Sequence, residues 1–527
     1  MNSIDPVTLE VIRNALTAAA EGMSLTVMRC ARSPLLREAG DLSSALTDAN
    51  GELIAQGRDI PMHLGVMAFT VKEFLKRVAR ERLRPGDVWF LNLPDVGGNH
   101  LPDVKAIQPI FHAGALQAFA VSLAHWADIG GAVPGSYVAN ASDAWQEGLR
   151  IAPLRLFGRD GPDREKLDFV LANVRGDRER EGDILAQMAA TRMADERLQE
   201  ILTEHGVETV QAAIRAMHDN SAEVMRDVIR QLPRGPFVGE DFLDDDGTGS
   251  KPIAVRVRMT FAEGVGTFDF SATDDAARGP VNTTPFITAA GVLYAMNCLA
   301  RDDDASRTGG ALRPLRVITR PGSLLQPGPD RPVVGGNHET SQRVVDAIFR
   351  GLEPVIPERL SAGGPTTSGL LLFSFKDAGG SRVTLYETHG GGEGARTDRD
   401  GMPVVRVHMS NVMNTPAEII EAAYPLRVVR QELRRGSGGG GRHRGGDGLR
   451  RDYLVMAEEG TLTTMFERRV VPPYGLQGGA SGAPFRCTLT RADGSSRELP
   501  GKCNIALRAG DRVLMESSGG GGYGAAP

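Results

Sequence analysis

The prevailing spacing of apolar residues changes between Pro233 and Ile253, and that change points to the fold class. Before it they recur at three- and four-residue steps: Leu9, Ile12, Leu16, Ala19, Met23 and Val27, then Ile184, Met188, Leu198, Ile201, Val210 and Ile214. Such stripes form one face of a helix. After it Val255, Val257 and Met259 alternate with Arg256 and Arg258, the two-residue period of a half-buried strand. Neither a helical bundle nor a β-sandwich accommodates both. The chain is expected to be mixed α/β (α+β), with an N-terminal helix-plus-sheet portion, a central helical block and a β-rich, Gly-rich C-terminal half.

Local signals place the elements. Asp5 as N-cap and Pro6 at the first helical position open a helix that runs to about Cys30. A second helix is expected from Val66 to about Arg82, and strands at Asp87–Leu93, Ala106–His112 and Ala115–Ala124. Pro233-Arg234-Gly235-Pro236 ends the helical block, and Gly264-Val265-Gly266 turns a hairpin. Thr284–Leu299 reads as a buried helix, and Val383–Tyr386 and Val404–His408 as strands. The Gly/Arg segment Gly436–Gly446 is expected to be a mobile loop. Portions are expected at residues 1–164, 165–235, 236–435 and 436–527.

Charge and composition exclude several functions. Lys+Arg 60 against Asp+Glu 66 leaves no basic excess for nucleic acid. Cys30, Cys298, Cys487 and Cys503 form no CxxC pair, so neither a zinc knuckle nor a disulfide scaffold is expected. Apolar stretches are too short for a membrane span, and the first residues lack a signal-peptide pattern. The reading is a cytoplasmic protein. GxxxxGK[ST], GxGxxG after a strand, and GxSxG are all missing.

Polar residues gather where strands end. His100 and Asp103 sit in the loop Gly97–Asp103, and His125 ends the next strand pair, which a hairpin returns beside that loop. Two imidazoles and a carboxylate make a competent ligand set for Mn, Fe or Zn with positions open for water or substrate. Asp128 is a fourth ligand or a partner that orients an imidazole. The alternative is a capped turn beside a satisfied core histidine. In Asn337-His338-Glu339-Thr340-Ser341-Gln342-Arg343 every side chain can hydrogen-bond. A strand leading through Gly335-Gly336 into a helix puts Asn337, His338, Glu339, Gln342 and Arg343 at a helix N-terminus, suited to substrate or anion binding or simply to capping. The amides of Gly390–Arg396 offer an anion nest or tight turns.

Taken jointly, several motifs resemble the B subunit of the hydantoinase/oxoprolinase family. They include Asp5-Pro6-Val7-Thr8-Leu9-Glu10, Pro61-Met62-His63-Leu64-Gly65, Gly98-Asn99-His100-Leu101-Pro102-Asp103 and His125-Trp126-Ala127-Asp128-Ile129-Gly130-Gly131. Gln146-Glu147-Gly148-Leu149-Arg150, Gly336–Arg343, Tyr386-Glu387-Thr388 and Arg442-His443-Arg444-Gly445-Gly446 extend the likeness nearly end to end. The resemblance implies a divalent metal held by His100, Asp103 and His125. It also implies an A-type partner subunit that carries ATP–Mg, in a heterotetramer or larger assembly. The implied activity is ATP-dependent opening of a cyclic amide, hydantoin or lactam, with Asp128, Glu147 or His63 as proton carrier. The runner-up is the metal subunit of an ATP-dependent ketone carboxylase. Asn99 stands where the family often has Thr, and Glu393 where an aromatic residue is expected, both bordering the implied substrate space.

Overall fold

The first helix, α1 (Pro6–Cys30), starts where Asp5 accepts the Thr8 amide at 2.9 Å and buries Ile12, Leu16, Met23 and Val27 along one face. The computed structural model describes residues 4–249, 251–300, 308–376 and 379–526. After α1 come a short turn of helix, α2 (Pro34–Arg37), and the hairpin β1 (Leu42–Asp48) and β2 (Leu53–Gln56). Then follow α3 (Pro61–Arg77), β3 (Val88–Leu91), β4 (Asp103–His112), β5 (Ala115–His125), β6 (Leu154–Gly158) and β7 (Gly161–Pro162). These strands form a seven-stranded sheet in the order β2-β1-β5-β4-β3-β6-β7.

The helical block is α4 (Arg164–Ala172), α5 (Asp177–His205) and α6 (Val207–Arg230). It packs back on the first sheet. Ile184 and Leu198 of α5 share a core with Leu16 and Met23 of α1 and with Val104, Ala106 and Ala124. On the other face Val71 and Phe74 of α3 meet Trp89, Ile107, Phe119 and Val121. Burial on both faces explains why Phe119–Ala124 reads as a nearly unbroken apolar run.

The change of period is where the architecture changes. Beyond it, β8 (Phe237–Leu243), β9 (Ile253–Ala262), β10 (Val265–Asp269) and β11 (Leu315–Ile318) form a second sheet, on which α7 (Pro285–Asn297) and α8 (Thr340–Leu352) pack. Next are β12 (Leu370–Lys376), β13 (Arg382–Glu387), α9 (Ala417–Ala423), β14 (Leu426–Arg434), β15 (Gly448–Val455) and β16 (Gly460–Met465). The last elements are β17 (Arg486–Thr490), β18 (Ser496–Glu498), β19 (Lys502–Leu507) and β20 (Arg512–Glu516). They make the sheets β13-β12-β16-β19 and β14-β15-β20-β17-β18. The mixed α/β class is as expected.

Four local expectations need correction. The second helix starts at Pro61 rather than Val66, because Pro61 supplies a first helical position that needs no N–H. That shift puts His63 inside the first turn. Val404–His408 is no strand; its one bridge joins Val405 to Gly391. The residues leading into α8 form a turn rather than a strand, with the amides of Gly335 and Gly336 bonded to the Pro280 carbonyl. The segment Gly436–Gly446 is no free loop. It lies in a layer of glycine backbones, where Gly439 N donates to Gly520 O at 2.8 Å, Gly520 N to Gly446 O at 3.0 Å and Gly446 N to Glu393 O at 2.9 Å. A Cβ on Gly520 would lie 1.9 Å from the Glu393 carbonyl oxygen, so this layer admits only glycine at that point. The same packing uses the amides of Gly391, Gly392, Glu393 and Ala395, each donating to a backbone carbonyl, so Gly390–Arg396 presents no anion nest.

Candidate metal centre

The site stands at one end of the first sheet, and a hairpin builds it. Ala113 and Gly114, at φ 50° and 81°, turn β4 into β5 in two residues, the geometry that suits a tight hairpin. The register runs from His112 opposite Ala115 to Asp103 opposite His125, with one irregularity at Ile110/Phe111. Asp103 and His125 are therefore paired across the open end of the ladder. His100 arrives from the preceding loop, which Asn92 anchors by donating to the Leu101 carbonyl at 2.8 Å. Gly98 permits the sharp path, since a Cβ there would sit 2.2 Å from the Leu93 oxygen.

One ligand atom each from His100, Asp103 and His125 lies within 4.8 Å of the others, and all three residues are buried. His100 Nδ1 lies 2.9 Å from the Val334 carbonyl and donates to it, which makes Nε2 the lone-pair nitrogen, with Asn337 Nδ2 3.2 Å away. That nitrogen is 3.1 Å from Asp103 Oδ1. Asp103 Oδ1 and His125 Nδ1 are buried with no hydrogen-bond partner. A cation fits such a set of orphaned lone pairs, because buried polar atoms are otherwise satisfied. Burial pushes the Asp103 carboxyl up, yet the nearby His100 and His63 hold it well below the usual carboxylate range. Burial drives His125 well below the usual histidine value, and His338 likewise, so both are neutral imidazoles with lone pairs to give.

The remaining residues singled out in the sequence fall into two groups. His63, Asn337, His338 and Glu339 surround the trio. His63 Nε2 is 3.4 Å from Asp103 Oδ2, and its Nδ1 is 3.2 Å from Ser43 Oγ. Asn337 Nδ2 points at the same spot, 3.2 Å from both His100 Nε2 and Asp103 Oδ2. The His338 ring lies 6.1 Å from that of His100, and its Nδ1 is 2.9 Å from Glu339 Oε1. Burial pushes the Glu339 carboxyl up to about 8.

Asp128, Glu147, Gln342 and Arg343 are engaged elsewhere. Asp128 accepts the amides of Gly130 and Gly135 at 2.7 Å each and pairs with Arg175 at 3.1 Å, so its oxygens shape the 128–136 loop. Glu147 Oε1 accepts the Val334 amide at 2.8 Å, and Val334 in turn accepts from His100, so Glu147 braces the trio from behind. Gln342 Nε2 donates to the His338 carbonyl at 3.4 Å. Arg343 belongs to a buried charge network, 3.1 Å from Asp241 and 3.4 Å from Asp346, which Arg468 completes.

Several neighbours escaped the sequence reading. Asp41, just before β1, has Oδ1 4.0 Å from His63 Nε2, and burial raises its carboxyl to about 6. Tyr137 Oη is 3.3 Å from His125 Nε2 and 3.1 Å from Tyr386 Oη. Burial holds both phenols well above their ordinary value, hence protonated. Lys105 reaches Asn99 Oδ1 at 3.0 Å, and Asn99 Nδ2 donates to Asn337 Oδ1 at 3.2 Å. Asn99 lay in the Gly98–Asp103 motif and Tyr386 in Tyr386-Glu387-Thr388, whereas Asp41, Tyr137 and Lys105 carried no signal.

Comparison with known proteins decides the family. The description Hydantoinase B/oxoprolinase matches residues 5–526. The chain belongs to the hydantoinase B/oxoprolinase family. Among its relatives, 5-oxoprolinase 1 of Arabidopsis thaliana is 32% identical over 549 residues, covering 99% of this chain and 42% of that protein. The chain thus spans less than half of that relative. Caprolactamase subunit beta of Pseudomonas jessenii is 29% identical over 537 residues, covering 99% of this chain and 91% of the other. The crystal structure of ATP-dependent caprolactamase from Pseudomonas jessenii superposes with a TM-score of 0.92 at 27% identity, covering 100% of this chain and 93% of that one. Nucleotide-free acetone carboxylase gives 0.90 at 19% identity over 99% and 76% of the two chains, a likeness of fold. Among the described residues no helix is long and apolar enough to cross a membrane.

Proposed function

We propose that this chain is the metal-bearing B subunit of an ATP-dependent enzyme that opens a cyclic amide, a hydantoin or a lactam, after an A-type partner has phosphorylated the amide oxygen. The observation that carries this reading is the buried His100–Asp103–His125 trio, with unpaired lone pairs converging in a family that includes 5-oxoprolinase and caprolactamase. An amide carbonyl is a weak electrophile because nitrogen shares its lone pair with it, and a phosphorylated oxygen removes that protection. A divalent Mn, Zn or Fe held by the trio supplies Lewis acidity and lowers the pKa of water towards ~7.

The other residues prepare the chamber. Val334 fixes the His100 tautomer, and Glu147 fixes Val334. His63, touching Asp103 and flanked by Asp41, is the proton carrier of the three named in the sequence, since Asp128 is held by Arg175 and Glu147 by Val334. Asn337 offers an N–H to a substrate oxygen, and the protonated Tyr137 and Tyr386 donate hydrogen bonds while their rings exclude water. ATP–Mg sits on the partner, in a cytoplasmic heterotetramer or larger assembly.

The test is ADP release by this chain reconstituted with its A-type partner. Release that depends on hydantoin, lactam or 5-oxoproline supports the reading. Release that needs a ketone and bicarbonate, or robust ATPase activity of this chain alone, overturns it.

A further inference from the structure

A cavity of about 300 Å³ is lined by Arg406 and Pro61, which connect it to the surroundings of the trio, and its lining is cationic. Three arginines, Arg359, Arg396 and Arg406, line it, against one acidic residue, Glu393. Arg406 is the wall shared with the trio's surroundings. Its Nη1 donates to the Ser368 carbonyl at 3.0 Å, and the Ser368 amide donates to Glu339 Oε1 at 3.1 Å, the oxygen that also contacts His338. Its Nη2 donates to Thr388 Oγ1, two residues from Tyr386, whose ring is 4.5 Å from that of His125. Pro61 also lines the cavity and opens the helix turn that carries His63. The hydrogen-bond partners of Arg406 are neutral, namely the Ser368 and Val412 carbonyls and the Thr388 hydroxyl. Arg359 likewise donates to a carbonyl, that of Leu299. Among the described residues, the only carboxylate hydrogen-bonded to any of the three is Glu393, 3.1 Å from Arg396.

Guanidinium groups that converge in a half-enclosed cavity are the usual means of holding a carboxylate or a phosphoryl group, which they grip with paired N–H donors. We propose that this cavity binds the oxyanion of a small-molecule substrate, a carboxylate or phosphoryl group, between Arg396 and Arg406, and so sets the substrate against the trio. Glu393 occupies Arg396 until the anion arrives and lowers affinity for it. The proposal rests on the functional reading above and narrows its substrate class to an anionic cyclic amide or its phosphorylated form.

The experiment is calorimetric binding to the full chain after chelator treatment, so that no metal can capture the anion. The probes are inorganic phosphate, 5-oxoproline and 2-pyrrolidinone, which is the same ring without the carboxylate. Either anion should bind at least about tenfold more tightly than 2-pyrrolidinone, and Arg396→Ala should weaken it about tenfold. Phosphate binding alone assigns the phosphoryl group, and 5-oxoproline binding alone assigns the carboxylate. Glu393→Gln should tighten binding severalfold, because it frees Arg396 while keeping an acceptor for the Met402 amide, now 3.2 Å from Glu393 Oε2. Arg396 is 47% exposed in its side chain, so its truncation spares the core. Should that variant nonetheless misfold, Glu393→Gln decides alone. Equal binding of 5-oxoproline and 2-pyrrolidinone with no phosphate binding overturns the proposal, as does unchanged affinity in Glu393→Gln. Binding is read without ATP or partner, so its failure leaves the ring-opening reading intact, and failed ring opening leaves the binding result intact.

Discussion

Alanine at Gly520 should cripple the fold, while alanine at Gly440, in a neighbouring segment of the same glycine layer, should not. The Gly520 methyl would meet the Glu393 carbonyl oxygen at 1.9 Å and its carbon at 2.3 Å, both backbone atoms that cannot swing aside. Moving that segment away also breaks Gly520 N to Gly446 O, at 3.0 Å, and Gly439 N to Gly520 O, at 2.8 Å. Overpacking of this kind costs ~1–3 kcal/mol, and two backbone hydrogen bonds add ~1 kcal/mol each. The sum of ~3–5 kcal/mol is a large part of a typical stability of ~5–15 kcal/mol. At Gly440 an added Cβ meets nothing within 4 Å, so the change should be neutral or stabilise by up to ~1 kcal/mol through the unfolded chain. Urea unfolding of both variants, followed by circular dichroism, measures the contrast. Equal midpoints for Gly520→Ala, Gly440→Ala and the unaltered chain would refute the packed-layer account and restore the mobile loop.

Three further outcomes are expected. Burial raises Glu147 from 4.5 to about 8, so the folded chain keeps a proton that the unfolded chain releases; the associated stability is full below pH 4.5 and lost as pH rises towards 8. Glu147→Gln does not titrate, so its stability relative to the unaltered chain should climb by ~3–4 kcal/mol between pH 5 and 8 and then level, as thermal melts at several pH values will record. Asp128→Asn should cost ~1–3 kcal/mol by leaving Arg175 short of its partner while metal content stays unchanged, contrary to a role as ligand. His63→Gln should keep the metal and lower turnover ~10²–10⁴-fold, whereas loss of metal in that variant would mark His63 as a ligand.

Periodicity carried much of the fold. The stripe from Leu9 to Val27 gave α1, and two short apolar runs around Ala113-Gly114 gave the hairpin that pairs Asp103 with His125. That pairing was legible because a tight turn and a fixed side-chain period determine which residues meet across a ladder. What stayed hidden depends on contacts far apart in sequence. Asp128 looked available until Arg175 met it 47 positions away, and Arg343 looked like a substrate group until Asp241 met it 102 positions away. Asp41 and Tyr137 enter the chamber with no motif of their own. The glycine segments misled for another reason. Gly-rich composition signals a lack of side chains, which permits either a free loop or the closest approach of backbones, and only the fold tells which.

The account rests on the trio holding one metal. Metal analysis of the purified chain, beside His100→Ala and His125→Ala, tests this most directly, with circular dichroism confirming that each variant is folded. About one divalent first-row ion per chain is expected in the unaltered protein, and less than about a tenth of that in either variant, with turnover falling in step. Equal metal in all three, or full turnover without metal, would contradict it.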